Sequence, residues 1–251
     1  MNVLDMQGVN VTLGDTAVLD AISMHVCSGE FVSILGPSGA GKSTIFRLLT
    51  GALRQDQGTI TCNAEPLAQN QQGFAFMPQR DALMPWLRIL ENLTLGLEVQ
   101  GMNRNAARAR VLPLLDDFGL AGFERHYPAQ LSGGMRQRAA LLRTIVQARP
   151  VQLLDEPFGA LDALTRTHMQ TWFEERWRAA RWTTLLVTHD VREAVALSDR
   201  IYVLSRRPAH VIAEVTVPAP RPRLGQPVGP EAHALEAHLL NILLNQSGDA
   251  I

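Results

Sequence analysis

Short strand-like runs of apolar positions, VNVTL, ISMHV and FVSIL, crowd the first part of the chain. Helical spacing begins in KSTIFRLLTGAL, which leaves GPSGAGKST, Gly36 to Thr44, between a strand and a helix. From Ile89 to Gln147 the pattern is mainly helical, in ILENLTLGLEVQ, AARARVLPLLDDFGL and GMRQRAALLRTIVQ, with Pro113 as a kink or restart. Strand signals return at VQLLDE, TTLLVTHD and RIYVLS with helical segments between them, the alternation of a parallel sheet with covering helices. After Val217, PAPRPRLGQPVGP reads as a linker and EAHALEAHLLNILL as a terminal helix. The predicted organisation is an α/β domain at 1–217 with a helical subdomain at about 86–147, a linker at 218–230, and a helix and tail at 231–251.

Composition narrows the function classes. A chain of 251 residues that is 46% apolar and 19% charged can bury a large core. Its formal net charge of -1 gives no overall pull toward nucleic acid or acidic lipid, so no nucleic-acid partner is expected. Cys27 and Cys62 form no CxxC pair, and a reducing cytosol is the simplest setting. No apolar run is long enough to span a membrane, so a membrane role requires partner subunits.

The chemistry begins in GPSGAGKST. Gly36, Gly39 and Gly41 let the backbone curl with its N–H groups inward, and the following helix adds the positive end of its dipole, so the loop suits a polyphosphate. Lys42 supplies a mobile charge for the β/γ-phosphates, and the Ser43 hydroxyl can ligate Mg²⁺. A turn that merely caps a helix is the simpler alternative, but the whole G-x-x-x-x-G-K-S spacing falls between strand and helix. VQLLDEP ends an apolar strand with Asp155 and Glu156, which alternation sends in different directions, so that one can serve a magnesium shell and the other an attacking water; a strand end capped by solvated acids is the alternative, and the phosphate loop upstream favours the former. His189 ends the next strand-like run, a place from which its ring could reach a terminal phosphate, although a lone histidine is more often structural or merely exposed. LSGGMRQR, from Leu131, is a Ser-Gly-Gly turn opening a helix, either a second anion-binding terminus or, as the octamer alone would favour, a simple N-cap by Ser132.

Together these motifs resemble, in kind and order over about residues 1 to 215, the ATP-binding cassette (ABC) ATPases. The resemblance implies a P-loop NTPase core with an N-terminal antiparallel β part and a helical subdomain insert. It implies ATP and Mg²⁺ as ligands, with Gly36, Pro37, Ser38, Gly39, Ala40, Gly41, Lys42, Ser43 and Thr44 as the phosphate cradle. Asp155 then matches the Walker B magnesium residue, Glu156 the general base, His189 the switch histidine and Gln79 of FMPQR the Q-loop residue that meets metal and couples to partners. Leu131, Ser132, Gly133 and Gly134 match the signature that acts on the nucleotide of a second, head-to-tail copy, and Asp162 of GALD matches the D-loop at that interface.

More narrowly, MPQRDALMPWLRILENLTLGL and DEPFGALDALTR resemble the ATPase subunits of nitrate/sulfonate/taurine-type bacterial importers, a group that includes pyrimidine-precursor and thiamine-related systems. That implies a peripheral subunit on the cytoplasmic face of the inner membrane, serving permease subunits and, through them, a periplasmic or lipid-anchored binding protein. Residues Arg80 to Arg88, with Met84, Pro85 and Trp86, suit a surface that grips a permease helix; the alternative is that Trp86 and Leu87 pack within the helical insert. Soluble repair or translation ATPases of the family carry long coiled-coil insertions or tandem cassettes, which are absent here. A regulatory cassette would be expected to lack the equivalents of Glu156 or His189, and both are present. The chain departs from the family at the base: Leu13 stands about where an aromatic usually stacks on adenine, and residues 1 to 30 contain no Phe, Tyr or Trp.

Overall fold

A computed structural model describes residues 2–69, 73–224 and 229–245. The first layer is an antiparallel sheet. Its long hairpin, β1 (Asn2–Leu13) and β2 (Thr16–Cys27), alternates buried and open positions, and β1 also pairs with β4 (Gln57–Cys62), which pairs with the short β5 (Glu65–Pro66). This is the predicted N-terminal antiparallel part.

The second sheet has the order β10-β9-β3-β8-β7-β6. Its strands are β3 (Phe31–Leu35), β6 (Phe74–Met77), β7 (Val151–Asp155), β8 (Thr183–Thr188), β9 (Arg200–Leu204) and β10 (Val211–Thr216), parallel throughout except for the β9–β10 pair. Every residue of β3, β7, β8 and β9 is buried, as a parallel sheet covered on both faces requires. On one side Val32, Ile34, Leu153, Leu185 and Val187 pack with the antiparallel layer and with Phe46 of α1 (Lys42–Leu49). On the other, Phe31 meets Phe173 and Trp177 of α5 (Ala163–Ala180) edge-on, at centroid distances of 5.9 and 5.8 Å.

Between β6 and β7 lie α2 (Ile89–Val99), α3 (Arg104–Val111) and α4 (Gly133–Ile145), each with an apolar face in one common core. The break expected at Pro113 occurs: α3 ends at Val111 and passes into a 3₁₀ turn at Leu112–Leu114. Beyond β8, α6 (Val191–Leu197) packs against β3 and against α7 (Pro230–Asn245), whose Leu239 is fully buried.

The start of the Pro-Arg segment lies on the core. Arg221 stacks 4.3 Å over Trp177 and pairs with Glu174 (3.3 Å) and Asp199 (3.0 Å), while Arg223 donates to main-chain oxygens of Ala219, Ser198 and Val217. Residues 225–228 of the predicted linker and 246–251 of the predicted tail lie outside the described residues.

Candidate active site

Four loops meet because four parallel strands are neighbours. The order β3-β8-β7-β6 sets side by side the C-terminal ends that lead to Gly36, His189, Glu156 and Gln79. Gly36 leaves β3 so close to β9 that a side chain there would meet the Leu204 carbonyl oxygen at 3.2 Å. Gly41 has φ 108°, and a Cβ there would lie 2.9 Å from Leu19, so only glycine fits the turn into α1. No side chain caps that helix, leaving its first N–H groups directed at the loop.

Lys42 is buried and folds back over the loop, its Nζ donating to the carbonyls of Gly36 (2.8 Å) and Pro37 (2.9 Å). Burial pushes its ammonium below the usual lysine range, against the opposing pull of Glu156 and Asp155. Asp155 is buried at the end of β7 and hydrogen-bonds Ser43. Burial raises its carboxyl above the ordinary range, and Glu156 adds to this, while Ser43 and Lys42 oppose it. Its Oδ1 is buried and has no hydrogen-bond partner among the described residues, as expected of an oxygen reserved for a cation. Among the described residues no three His, Cys, Asp or Glu side chains converge on one point. A hydroxyl and one or two carboxylates completed by phosphate and water suit Mg²⁺, which dehydrates reluctantly, so Ser43 and Asp155 fit it.

Glu156 is where the chemistry-bearing residues come together. Gln79 Nε2 donates to its Oε2 (3.2 Å), and His189 Nδ1 lies 3.2 Å from its Oε1. The backbone of Glu156 is left-handed, φ 49°, a conformation that costs a non-glycine residue on the order of 1–3 kcal/mol and persists only when its surroundings hold it. Its N–H donates to Val187 O (2.9 Å), and Gln137 of α4 donates through Nε2 to Glu156 O (3.1 Å) and Pro157 O (3.2 Å).

Sequence reasoning missed Gln137, and with it two arginines of the same helix. Arg136 pairs with Asp81 (3.0 Å), and Arg143 donates to the carbonyls of Asp81 (2.8 Å) and Ala82 (2.7 Å), so α4 fixes the segment just after Gln79. Arg136 and Gln137 lie inside the quoted LSGGMRQR, but that resemblance gave them no contact; the available signal was Gln137 as one of two polar residues, with Thr144, on the buried face of α4.

The signature and the D-loop are built differently. Ser132 caps α4 by accepting from Met135 N–H (3.2 Å), and Asp162 caps α5 by accepting from Thr165 N–H (3.1 Å). Hydrogen bonds from Thr165 hold the Asp162 carboxyl below the usual range. Both residues are exposed, and the two turns pack together where Gly134 faces Ala160 and Leu161. They join each other rather than the cluster around Glu156.

Residues 19–159, more than half of the chain, match the ABC transporter family. The chain belongs to that family. Relatives include the formylaminopyrimidine import ATP-binding protein ThiZ of Halalkalibacterium halodurans, 47% identical over 80% of this chain and 78% of its own. The aliphatic sulfonates import ATP-binding protein SsuB of Pseudomonas putida is 41% identical over 98% of this chain and 88% of its own, and the taurine import ATP-binding protein TauB of Burkholderia pseudomallei 44% identical over 80% and 77%. Among solved structures, the dimeric bacterial ABC transporter cassette MJ0796 superposes with a TM-score of 0.78 at 29% identity, covering 86% of this chain and 99% of that one. The same cassette in a post-hydrolysis state bound to ADP and Pi gives 0.78 at 28% identity over the same shares. The chain is thus an ABC importer ATPase, an ATP-binding and ATP-hydrolysing subunit, and the fold expected from its motifs is the fold it has.

Proposed function

We propose that this ABC ATPase powers uptake of a small solute of the sulfonate, taurine, nitrate or pyrimidine- and thiamine-precursor kind. It would work as a head-to-tail pair of identical chains bound beneath permease subunits that receive solute from a periplasmic or lipid-anchored binding protein. The observation that carries the catalytic part is the convergence of Gln79 and His189 on the two carboxylate oxygens of Glu156, beside the Lys42–Ser43–Asp155 group.

In this reading Gly36 to Thr44 cradle the phosphates through backbone N–H groups, and Lys42 leaves its loop carbonyls to meet the β/γ-oxygens. Mg²⁺, held by Ser43, Asp155 and Gln79, supplies charge neutralisation on those oxygens when bound. Glu156 orients the attacking water and takes its proton, and His189 steadies the terminal phosphate. Leu131 to Gly134 and Asp162 of the second copy close the site.

Docking on permease subunits has its own support. Trp86 is 70% exposed rather than packed in the helical core, and beside it Arg88, Leu90, Glu91, Arg108 and Leu112 line a groove of about 520 Å³. No helix among the described residues is long and apolar enough to cross a membrane.

The test is Glu156→Gln. It should keep MgATP binding, lose about 10²–10⁴-fold in turnover, and accumulate a nucleotide-bound dimer visible by size-exclusion chromatography with light scattering. Near-normal hydrolysis would overturn the assignment. Copurification with the permease, followed by ligand screening on the binding protein, identifies the solute.

A further inference from the structure

The switch histidine stands between two residues that are both tied to one buried carboxyl. Thr188, before it, hydrogen-bonds Glu193 Oε2 through its hydroxyl, and that same hydroxyl oxygen accepts the N–H of Asp190, after it, at 3.0 Å. Asp190 in turn accepts from the main-chain N–H of Glu193 (3.2 Å). From α5, Gln170 Nε2 donates to Glu193 Oε1 at 3.1 Å, in a fully buried contact. Glu193 is 7% exposed, and the small pocket at its head, about 40 Å³, is also lined by Glu156 and His189. That is room for a water molecule in a polar enclosure.

We propose that Glu193 is a positioning residue for hydrolysis, holding His189 in register with Glu156 through Thr188 and Asp190, and doing so only as the carboxylate. The donor inventory is the reason. Thr188 Oγ1 already accepts from Asp190, so its own proton is free to go to Glu193, and Gln170 presents an amide N–H to the other oxygen. Both carboxyl oxygens therefore accept. A proton on either one sets donor against donor at Gln170 or turns the Thr188 hydroxyl away.

The surroundings make that proton available near neutrality. Burial, with Asp190 adding to it, raises the Glu193 carboxyl to about 7, against the hydrogen bonds from Thr188 and Gln170 and the charge of Arg166. Across the pocket it faces Glu156 and His189, and from α5 it faces Arg166, which lies 3.6 Å from Asp190. Arg192 faces Glu236 of α7 (3.9 Å), and Arg221 and Arg223 reach main-chain oxygens near the far end of α6.

The inference rests on His189 acting in hydrolysis, so its test has separate arms. In the full-length chain, Glu193→Gln keeps the volume of the side chain but cannot ionise. At pH 8 its kcat should fall about tenfold with the KM for ATP within about twofold of the parent, and the gap should close as pH drops through about 7, where the parent reaches the same neutral form. Gln170→Leu removes a donor that favours the carboxylate and should move the parent's acid limb to higher pH. A parent-to-variant ratio constant from pH 6 to 8.5, or an unchanged kcat, overturns the proposal. If Glu193→Gln fails to fold, an unmoved limb in Gln170→Leu overturns it instead. His189→Ala separates the premises: full turnover there removes the role of His189 itself, whereas loss of turnover there with unaffected Glu193→Gln removes only the role of Glu193.

Discussion

Two surfaces of this chain are built to different degrees of completion. At the ends of the parallel strands, Glu156 is gripped from three sides by Gln79, His189 and Gln137, and Lys42 is buried over its own loop. At the signature and D-loop, Ser132 and Asp162 bond only to the helices they cap and face solvent. One surface is wired inward and holds a strained backbone; the other is rigid but open. A rigid, open anion-binding turn keeps its shape before a ligand arrives and loses little conformational freedom when it closes on one. Under the head-to-tail reading proposed above, the first surface is a half-site finished within one chain and the second is the half-site that the chain offers to a neighbour.

The sharpest way to break this comparison is to divide the damage between two chains. Ser132→Arg and Lys42→Ala should each abolish most turnover, yet an equimolar mixture should recover about a quarter of parental activity, since half of the dimers are mixed and each keeps one intact composite site. No rescue, with mixed dimers verified by pull-down, would contradict independent head-to-tail sites. Next in size, Lys42→Ala alone should weaken MgATP binding about 10–100-fold, the value of a lost charge-assisted contact, as read by fluorescent-nucleotide titration. Unchanged affinity would mean that Lys42 serves only the loop carbonyls it now touches.

The smallest effect belongs to the base. Leu13 lies at the tip of the β1–β2 hairpin, half-buried against the antiparallel layer, and the same hairpin touches the phosphate loop where Val18 and Leu19 meet Gly41. An aromatic stack adds about 0.5–1.5 kcal/mol beyond area burial, so Leu13→Tyr should tighten ATP a few-fold and sharpen its preference over GTP in competition titrations. No gain would place the base away from Leu13.

Much of the site was legible because it is local. The phosphate loop, the Asp155–Glu156 pair and the Ser-Gly-Gly turn are each contiguous, and their spacing carries their chemistry. The company that Glu156 keeps with Gln79 and His189 was legible only through resemblance, although His189 was already marked by its place at a strand end, since both lie far from Glu156 in sequence and nothing in their flanks says which strands adjoin. The contacts of Arg136, Gln137 and Arg143 were not legible, although the first two lie in the quoted LSGGMRQR. Their roles depend on which face of α4 meets the segment at 81–82 and which meets the turn at 156–157. The arginines at 221 and 223 teach the same lesson in a Pro-rich stretch, where composition hides the Arg221 fork on Glu174 and Trp177 and the Arg223 fork on main-chain oxygens of Ala219, Ser198 and Val217.

By itself, then, the sequence determined the elements and the phosphate chemistry, because periodicity, glycine φ freedom and a lysine at the head of a helix act within a few residues of one another. Only the tertiary structure decided that β6, β7, β8 and β3 lie in consecutive order, that a left-handed Glu156 is held where Gln79 and His189 reach it, and that Glu193 stands buried behind the histidine. Strand order and burial are set by crossovers and packing over a hundred residues and more, and it is burial that turns an ordinary glutamate into a group poised near neutrality.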